Sequence, residues 1–327
     1  LHALNLEMCE ILGRALLEWE RDRGVDFVLI DHQEGTRGFC AGGDIRMLAA
    51  SGAGDGAAAR AFFHEEYRVN HLLKTFRKPV IALMDGVTMG GGVGISVHGA
   101  FRVATPNTVL AMPEAGIGLF PDVGGGWFLP RLAPGLGTWL ALTGVRLKGR
   151  DVLAAGLATH FVEAGGVAAL NADLVARGPE ALSGLEVEAR GSFEDHIGVI
   201  ADAFSQGEVA GVLARLAAQD TDWARAQADM IGTRSPTTMA IALEQLKRGA
   251  QLTDFADNMA MEYRIGARLV HTHDFQEGVR AVIIEKDNTP RWNPASVGEV
   301  RREAVEACFA PLPDGQEWTP YPGRMPT

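Results

Sequence analysis

An α/β fold of strand–helix repeats with a helical C-terminal region is what the sequence predicts, and three observations predict it. Short apolar runs at residues 27–30, 80–84, 101–104 and 109–112 alternate with helical periodicity, and such alternation makes parallel strands covered by helices. Two glycine-bearing turns, at residues 41–44 and 90–92, each follow an apolar run. Beyond residue 165 the texture changes, and helix-type sequence continues without a convincing strand. The domain reading is a core over 1–165, a helical region over 166–287 and an extended tail over 288–327.

Taken in order, Met8, Ile11, Leu12, Ala15, Leu16 and Trp19 recur at helical spacing from Asn5, so the first element is an amphipathic helix ending near Gly24. Residues 27–30 read as a buried strand and the stretch 51–59, rich in Gly and Ala, as a mobile loop. Phe62, Phe63, Tyr67, Leu73 and Phe76 mark a helix that carries Glu65 and Glu66 and ends before Lys78-Pro79. Strand 80–84 follows, then a helix opening inside the glycine run, then strands 101–104 and 109–112. A further helix begins at 124–126, short ones lie at 136–142 and 150–155, and 159–162 reads as a last short strand. In the C-terminal region Ser235-Pro236 is a strong helix start, a capping hydroxyl followed by proline at the first helical position. Two more helices are expected over 252–270 and 274–284. Prolines at 290, 294, 311, 313, 320, 322 and 326 make the end an extended tail. No internal repeat is found.

Composition excludes several functions. With 30 Lys and Arg against 41 Asp and Glu, the 327-residue chain carries a net charge of −11. No long basic run offsets it, the Arg301–Arg302 pair being too short, so neither nucleic acid nor an anionic membrane face is an expected partner. Three widely spaced cysteines, Cys9, Cys40 and Cys308, fit reduced thiols rather than a disulfide framework, and no metal-finger spacing exists. No apolar stretch approaches the roughly 20 residues that span a bilayer. Because the chain opens Leu1-His2-Ala3-Leu4 without an initiator Met, residues are expected to precede it.

The chemistry is concentrated in residues 85–122, where the triplet Gly90, Gly91, Gly92 follows the 80–84 strand and two carboxylates, Glu114 and Asp122, come later. Glycine lets a main chain approach a ligand closely, so backbone N–H groups are the expected contacts there. If the fold brings the 41–44 and 90–92 turns together, they offer a two-donor pocket for a carbonyl oxygen that becomes negative during reaction. Each such donor is worth on the order of 3 kcal/mol in the barrier. That suits thioester chemistry.

The segments FCAGGDI, TMGGGVG and MPEAGIGLFPDVGG resemble the enoyl-CoA hydratase/isomerase (crotonase) superfamily. Within it, residues 38–162, with EEY at 65–67, SVHG at 96–99, FRVAT at 101–105, LALTG at 140–144, LKGRD at 147–151 and ATHFV at 158–162, are most similar to the 3-hydroxyisobutyryl-CoA hydrolases. So are MEYR at 261–264, DFQEGVRAVIIEKD at 274–287 and PRWNP at 290–294, while 166–234 lack family signatures. The resemblance implies a crotonase-like spiral, with further N-terminal strands preceding Leu1. It implies that the Gly43 and Gly91 amides form the oxyanion hole, and that Ala41, Gly42, Asp44 and Gly90 lie along the CoA thioester. Glu114 and Asp122 would be the acid/base or nucleophilic carboxylates, with Glu66 at the hydroxyacyl end. Hydratases of the superfamily carry a second glutamate three positions after the oxyanion-hole glycine, where this chain has Gly94. Two-carboxylate hydration is therefore not expected.

The implied function is hydrolysis of a short 3-hydroxyacyl-CoA, 3-hydroxyisobutyryl-CoA of valine breakdown foremost, with enoyl-CoA isomerase or hydratase as the alternative. Glu114 would act as general base or attack directly to give an anhydride. Asp122 would position water or the substrate hydroxyl, or protonate the leaving thiolate. No cofactor is expected, CoA being part of the substrate, and homo-oligomerisation is left open. The compartment would be cytoplasmic in a bacterium and mitochondrial in a eukaryote. A catalytically silent binding protein on the same fold is the rival from another class, opposed by the presence of both carboxylates and both glycine turns.

Blander readings stand beside these. No Gly-Lys-Ser/Thr follows the glycine triplet, so it is not a phosphate loop. Glu66 is also placed to pair on the surface with Arg68 or Lys74. Ser96 and His98 narrowly miss a nucleophile elbow and read as packing residues. Cys40, considered with His98 or His160, reads as a small buried thiol. His271 and His273 suggest a helix junction more than a metal site.

Overall fold

In the computed structural model, which describes residues 2–33, 35–36, 38–185 and 187–323, the apolar runs form two four-stranded sheets. The strands are β1 (Val28–Ile30), β2 (Gly38–Cys40), β3 (Val80–Met84), β4 (Val87–Met89), β5 (Phe101–Ala104), β6 (Val109–Ala111), β7 (Leu147–Lys148) and β8 (His160–Phe161). One sheet has the order β1-β3-β5-β8 and the other β2-β4-β6-β7. Every pairing is parallel except β6 with β7. Each turn of the chain thus leaves one strand in each sheet, which is a spiral of repeats.

The crossing from one sheet to the other is fixed by short polar side chains. Thr105 Oγ1 and Asn107 Nδ2 donate to Asp85 Oδ1 at 2.6 and 3.1 Å, and Thr108 Oγ1 donates to the Met84 carbonyl at 2.5 Å. These bonds tie the bend after β3 to the bend after β5, so backbone groups that the sheets cannot pair are still satisfied. Beneath the first sheet, Ile81, Leu83 and Val103 pack with Val162, Leu170, Leu174 and Leu182. Strand faces meet the Val167–Arg177 helix in that core.

Two compact units interleave along the chain. One comprises Leu1–Gly43, Arg68–Ala111 and Arg146–Asp195, and holds all eight described strands. The other comprises Asp44–Tyr67, Met112–Val145 and His196–Thr327, and is built from helices and turns. The change of texture near residue 165 is a change of element type, with the described strands before it and helices after it. It does not coincide with a unit boundary, because local pattern reports element type and compactness is set by contacts far apart in sequence.

Local signals mostly act where the sequence puts them. Asn5 caps the Leu6–Arg21 helix by accepting from the Met8 amide at 2.9 Å, and Ser235 accepts from Thr238 N at the head of Pro236–Gly249. The face of the first helix is corrected. Cys9, Gly13 and Leu16 are the buried stripe, while Met8, Ile11 and Trp19 are exposed. Residues 51–59 are not a loop: one helix, Ile45–Gly52, runs in and another, Ala57–Lys74, runs out, leaving only 53–56 between them. Asp44 caps the first and Ser51 Oγ accepts from Ala59 N at 2.9 Å, so short polar side chains close a stretch whose Gly/Ala content suggested mobility. The tail is not wholly extended, since Arg302–Phe309 is a helix that buries Val305, Cys308 and Phe309. The expectations placed on Leu1 and Pro326 lie outside the described residues.

Candidate active site

In the helical unit, three of the expected carboxylates are buried on separate elements. Glu66 lies on the Ala57–Lys74 helix and is 2% exposed. Glu114 opens a 3₁₀ turn, Glu114–Ile117, behind Pro113, and Asp122 precedes a short helix, Gly125–Phe128; each is 5% exposed. Tyr67, the neighbour of Glu66, donates its hydroxyl to Asp122 Oδ2 at 3.0 Å. Among the described residues, Glu66 Oε1 and Glu114 Oε2 are buried without a hydrogen-bond partner. An unmade hydrogen bond at a buried acceptor costs about 1–3 kcal/mol, so two such oxygens call for a ligand that supplies donors.

Electrostatics point the same way. Burial, then the charges of Asp122 and Glu114, hold the Glu66 carboxyl well above its ordinary value. Burial and Asp122 do the same to Glu114. Burial pushes Asp122 up to about 7, although the Tyr67 hydroxyl and a backbone amide pull the other way. A set of acids so raised keeps proton donor and proton acceptor side by side near neutral pH, as acid–base chemistry requires.

The same burial opposes folding. Asp122 ordinarily titrates near 3.8, so below that pH it is protonated folded or unfolded and imposes no penalty. As pH rises the unfolded chain ionises first, and the penalty is complete above about 7. A shift of this size corresponds to about 4 kcal/mol as an upper bound. Asp122→Asn, which still accepts from Tyr67, is therefore expected to be more stable than the wild type by on the order of 2 kcal/mol at pH 8. The gain should vanish below pH 4. Denaturant melts at the two pH values check this, and equal stability at pH 8 would refute it.

A fourth buried acid was not foreseen. Glu262, on the Phe255–Leu269 helix, is fully buried and accepts from the Gly124 and Gly126 amides at 2.7 and 2.9 Å. Burial pushes it up to about 8 against the pull of those donors. The signal was present around MEYR: Met259, Glu262 and Ile265 recur every third residue on the buried face, and a carboxylate among apolar residues needs partners.

In the strand-bearing unit the two glycine turns lie side by side. A Cβ built on Gly42 would meet the Met89 carbonyl at 3.4 Å and Gly91 N at 3.8 Å, and one built on Gly92 would meet the Cys40 carbonyl oxygen at 2.1 Å. Gly90, at φ 48° and ψ −120°, turns the chain into the Gly91–Gly94 helix, so the Gly91 amide is a first-turn N–H with no partner inside its own helix. Ala41 and Gly42 follow β2, and Gly43 bridges to Leu4 while the Gly42 carbonyl accepts from Leu4 N. The side chain of Asp44 is occupied in the helical unit, where it accepts from Met47 N at 3.1 Å as a helix cap. Gly94 is buried in the helix that Gly91 begins and offers no carboxylate. The other candidates are engaged elsewhere. Ser96 Oγ donates to the Gly92 and Val93 carbonyls, Cys40 Sγ to the Gly42 carbonyl, and the rings of His271 and His273 contact the Gly52 and Arg291 carbonyls.

The family model for enoyl-CoA hydratase/isomerase matches residues 1–309. The chain belongs to this family. Among its relatives, the mitochondrial 3-hydroxyisobutyryl-CoA hydrolase of Gallus gallus is 45% identical over 325 residues, covering 95% of this chain and 84% of the relative. That of Homo sapiens is 44% identical with the same coverage. The solved structure of a carnitinyl-CoA dehydratase from Mycobacterium thermoresistibile matches with a TM-score of 0.93 at 38% identity, over 98% of this chain and 93% of that one. An enoyl-CoA hydratase from Rhodobacter sphaeroides gives 0.90 at 38%, over 97% and 93%. The crotonase-like spiral expected of the sequence is thus the fold of the family. Its members carry names of different activities, so the side chains must decide between them.

Proposed function

We propose that the protein hydrolyses 3-hydroxyisobutyryl-CoA to 3-hydroxyisobutyrate and CoA, a step of valine breakdown. What carries this reading is the match to relatives named for that activity along 95% of the chain. The acids support it, since Glu114 is a buried carboxyl with an unpartnered oxygen and Gly94 stands where a hydratase has its second glutamate.

In the reaction, the acyl oxygen is bound by the Gly43 and Gly91 amides, and negative charge accumulates on it as the carbon becomes tetrahedral. Ala41, Gly42 and Gly90 shape the backbone around the thioester. Glu114 takes the proton of the attacking water, or attacks first to form an anhydride that water then opens. A carbon–oxygen bond forms, the carbon–sulfur bond breaks, and a proton must reach the departing thiolate. Asp122, raised to about 7 and held by Tyr67, is suited to deliver it. Glu66 meets the hydroxyl of the acyl group with its unpartnered oxygen. Water alone balances the step, so no cofactor is invoked beyond the CoA of the substrate. The relatives are named mitochondrial, and we assign a mitochondrial compartment if the source is a eukaryote and a cytoplasmic one if it is a bacterium.

The second reading, enoyl-CoA hydration, is favoured by the names of the two solved structures. Incubation with 3-hydroxyisobutyryl-CoA and, separately, crotonyl-CoA distinguishes them. We expect free thiol from the first and an unchanged enone absorbance with the second. Loss of the enone without thiol release from either would overturn the assignment.

A further inference from the structure

The loop that presents Asp122 is held in an unfavourable conformation. Val123, a β-branched residue, sits at φ 51° and Gly124 follows at φ 94°, two left-handed residues in succession. A side chain in that region costs about 1–2 kcal/mol and persists only where the surroundings over-determine it.

The surroundings converge on Glu262. Its Oε2 accepts from Gly124 N at 2.7 Å, and its Oε1 accepts from Gly126 N at 2.9 Å, Asn258 Nδ2 at 2.9 Å and Gln245 Nε2 at 3.1 Å. Gln245 Nε2 also donates to the Pro121 carbonyl at 2.8 Å. The residue before Asp122 and the second residue after it are therefore both tied to one carboxylate, from the Pro236–Gly249 and Phe255–Leu269 helices. Every partner named here donates, which suits the carboxylate oxygens as acceptors, and these donors act against the burial that pushes Glu262 up to about 8. Among the described residues, the side-chain donor to Asp122 is the Tyr67 hydroxyl. The backbone on either side of it is held by Gln245 at Pro121 and by Glu262 at Gly124.

We propose that Glu262 is a positioning residue for thioester hydrolysis, acting through the Gly124 and Gly126 amides and through Gln245 to hold Asp122. The inference rests on the function proposed above. Glu262 does not meet the substrate; it fixes the segment that does. An amide at this position would turn an N–H₂ toward one of the two backbone N–H groups, so Glu262→Gln should loosen the grip while keeping the size of the side chain. A misplacement of about 1 Å is enough to cost on the order of 10²-fold in rate. Asn258→Ala keeps the carboxylate and both backbone bonds but removes one donor, so its effect should be smaller, about threefold.

The experiment measures kcat and KM for thiol release from 3-hydroxyisobutyryl-CoA by wild type, Glu262→Gln and Asn258→Ala, with melts of each. Wild-type thiol release tests the function itself, separately from the variants. For Glu262→Gln we expect kcat reduced about 30- to 100-fold with KM within about threefold, a split that general loosening would not give. In single turnovers of Asp122→Asn, adding Glu262→Gln should slow the reaction by no more than about twofold, because the group being positioned is gone. The proposal is overturned if Glu262→Gln keeps wild-type kcat, if KM rises in step with the loss of kcat, or if the loss is undiminished in the Asp122→Asn background. Should Glu262→Gln not fold, Asn258→Ala decides: a kcat within 1.5-fold of wild type in a folded enzyme overturns it equally.

Discussion

Glu114→Gln is expected to lower kcat for 3-hydroxyisobutyryl-CoA by about 10³-fold while leaving the Kd for the acyl-CoA within about threefold. Glutamine keeps the shape of the side chain and its carbonyl acceptor, so packing behind Pro113 is preserved. What it loses is the ability to take a proton from water or to form an anhydride, so both routes fail together. Burial already holds the Glu114 carboxyl far above its ordinary value, so removing its charge does not weaken the folded state. Loss of turnover will then not be confused with loss of fold. Thiol-release kinetics and calorimetric binding of the intact substrate check both halves, and turnover near the wild-type rate would remove Glu114 from the mechanism. The same variant gives a route to a substrate complex, since a bound thioester would survive. In the wild type, one turnover in oxygen-labelled water separates the two routes: water acting directly labels only the product, whereas opening an anhydride at the enzyme carbonyl labels Glu114.

The acids that sequence could read are those whose neighbours in the chain define them. Glu114 and Asp122 stand out through MPE and FPDVGG, and the structure buries both in one unit with Glu66. Strand β3 and the helix starts at Asn5 and Ser235 were legible for a related reason, because run length, capping side chains and proline act within a few residues. Glu262 was not legible. Its partners Gly124 and Gly126 are 138 and 136 residues away, and only the fold makes them neighbours. β4 and β7 escaped because Val87-Thr88-Met89 and Leu147-Lys148 mix apolar with polar residues and form no apolar run. The first helix shows a subtler limit: spacing fixed its period, but which stripe is buried depends on what packs against it, so Met8, Ile11 and Trp19 were assigned to the wrong side.

Gly92→Ala should be the most damaging of the conservative substitutions in the glycine run, and the reason is a collision with backbone. The added Cβ would lie 2.1 Å from the Cys40 carbonyl oxygen, 2.9 Å from its carbon and 3.0 Å from the Cys40 Cβ. Neither side can yield cheaply. Cys40 ends β2 and pairs with Thr88 of β4, while Gly92 lies in the short Gly91–Gly94 helix on the chain that leaves β4. Relief therefore requires the turn after β2 and the turn after β4 to part, and these carry Gly43 and Gly91. We expect a destabilisation of at least about 3 kcal/mol, of the kind that overpacking and strained backbone produce. In the fraction that folds, we expect kcat reduced by on the order of 10²-fold, as for loss of one oxyanion donor. Gly198→Ala is the control: that glycine lies in the Ile197–Ala203 helix with nothing within 4 Å of a built Cβ. It should be neutral or stabilising by about 0.5–1 kcal/mol. Calorimetric melts, with kcat normalised to folded enzyme, compare the two. A Gly92→Ala enzyme with wild-type stability and turnover would mean that the two turns do not need their close approach, and would leave the amides of Gly43 and Gly91 without a common task.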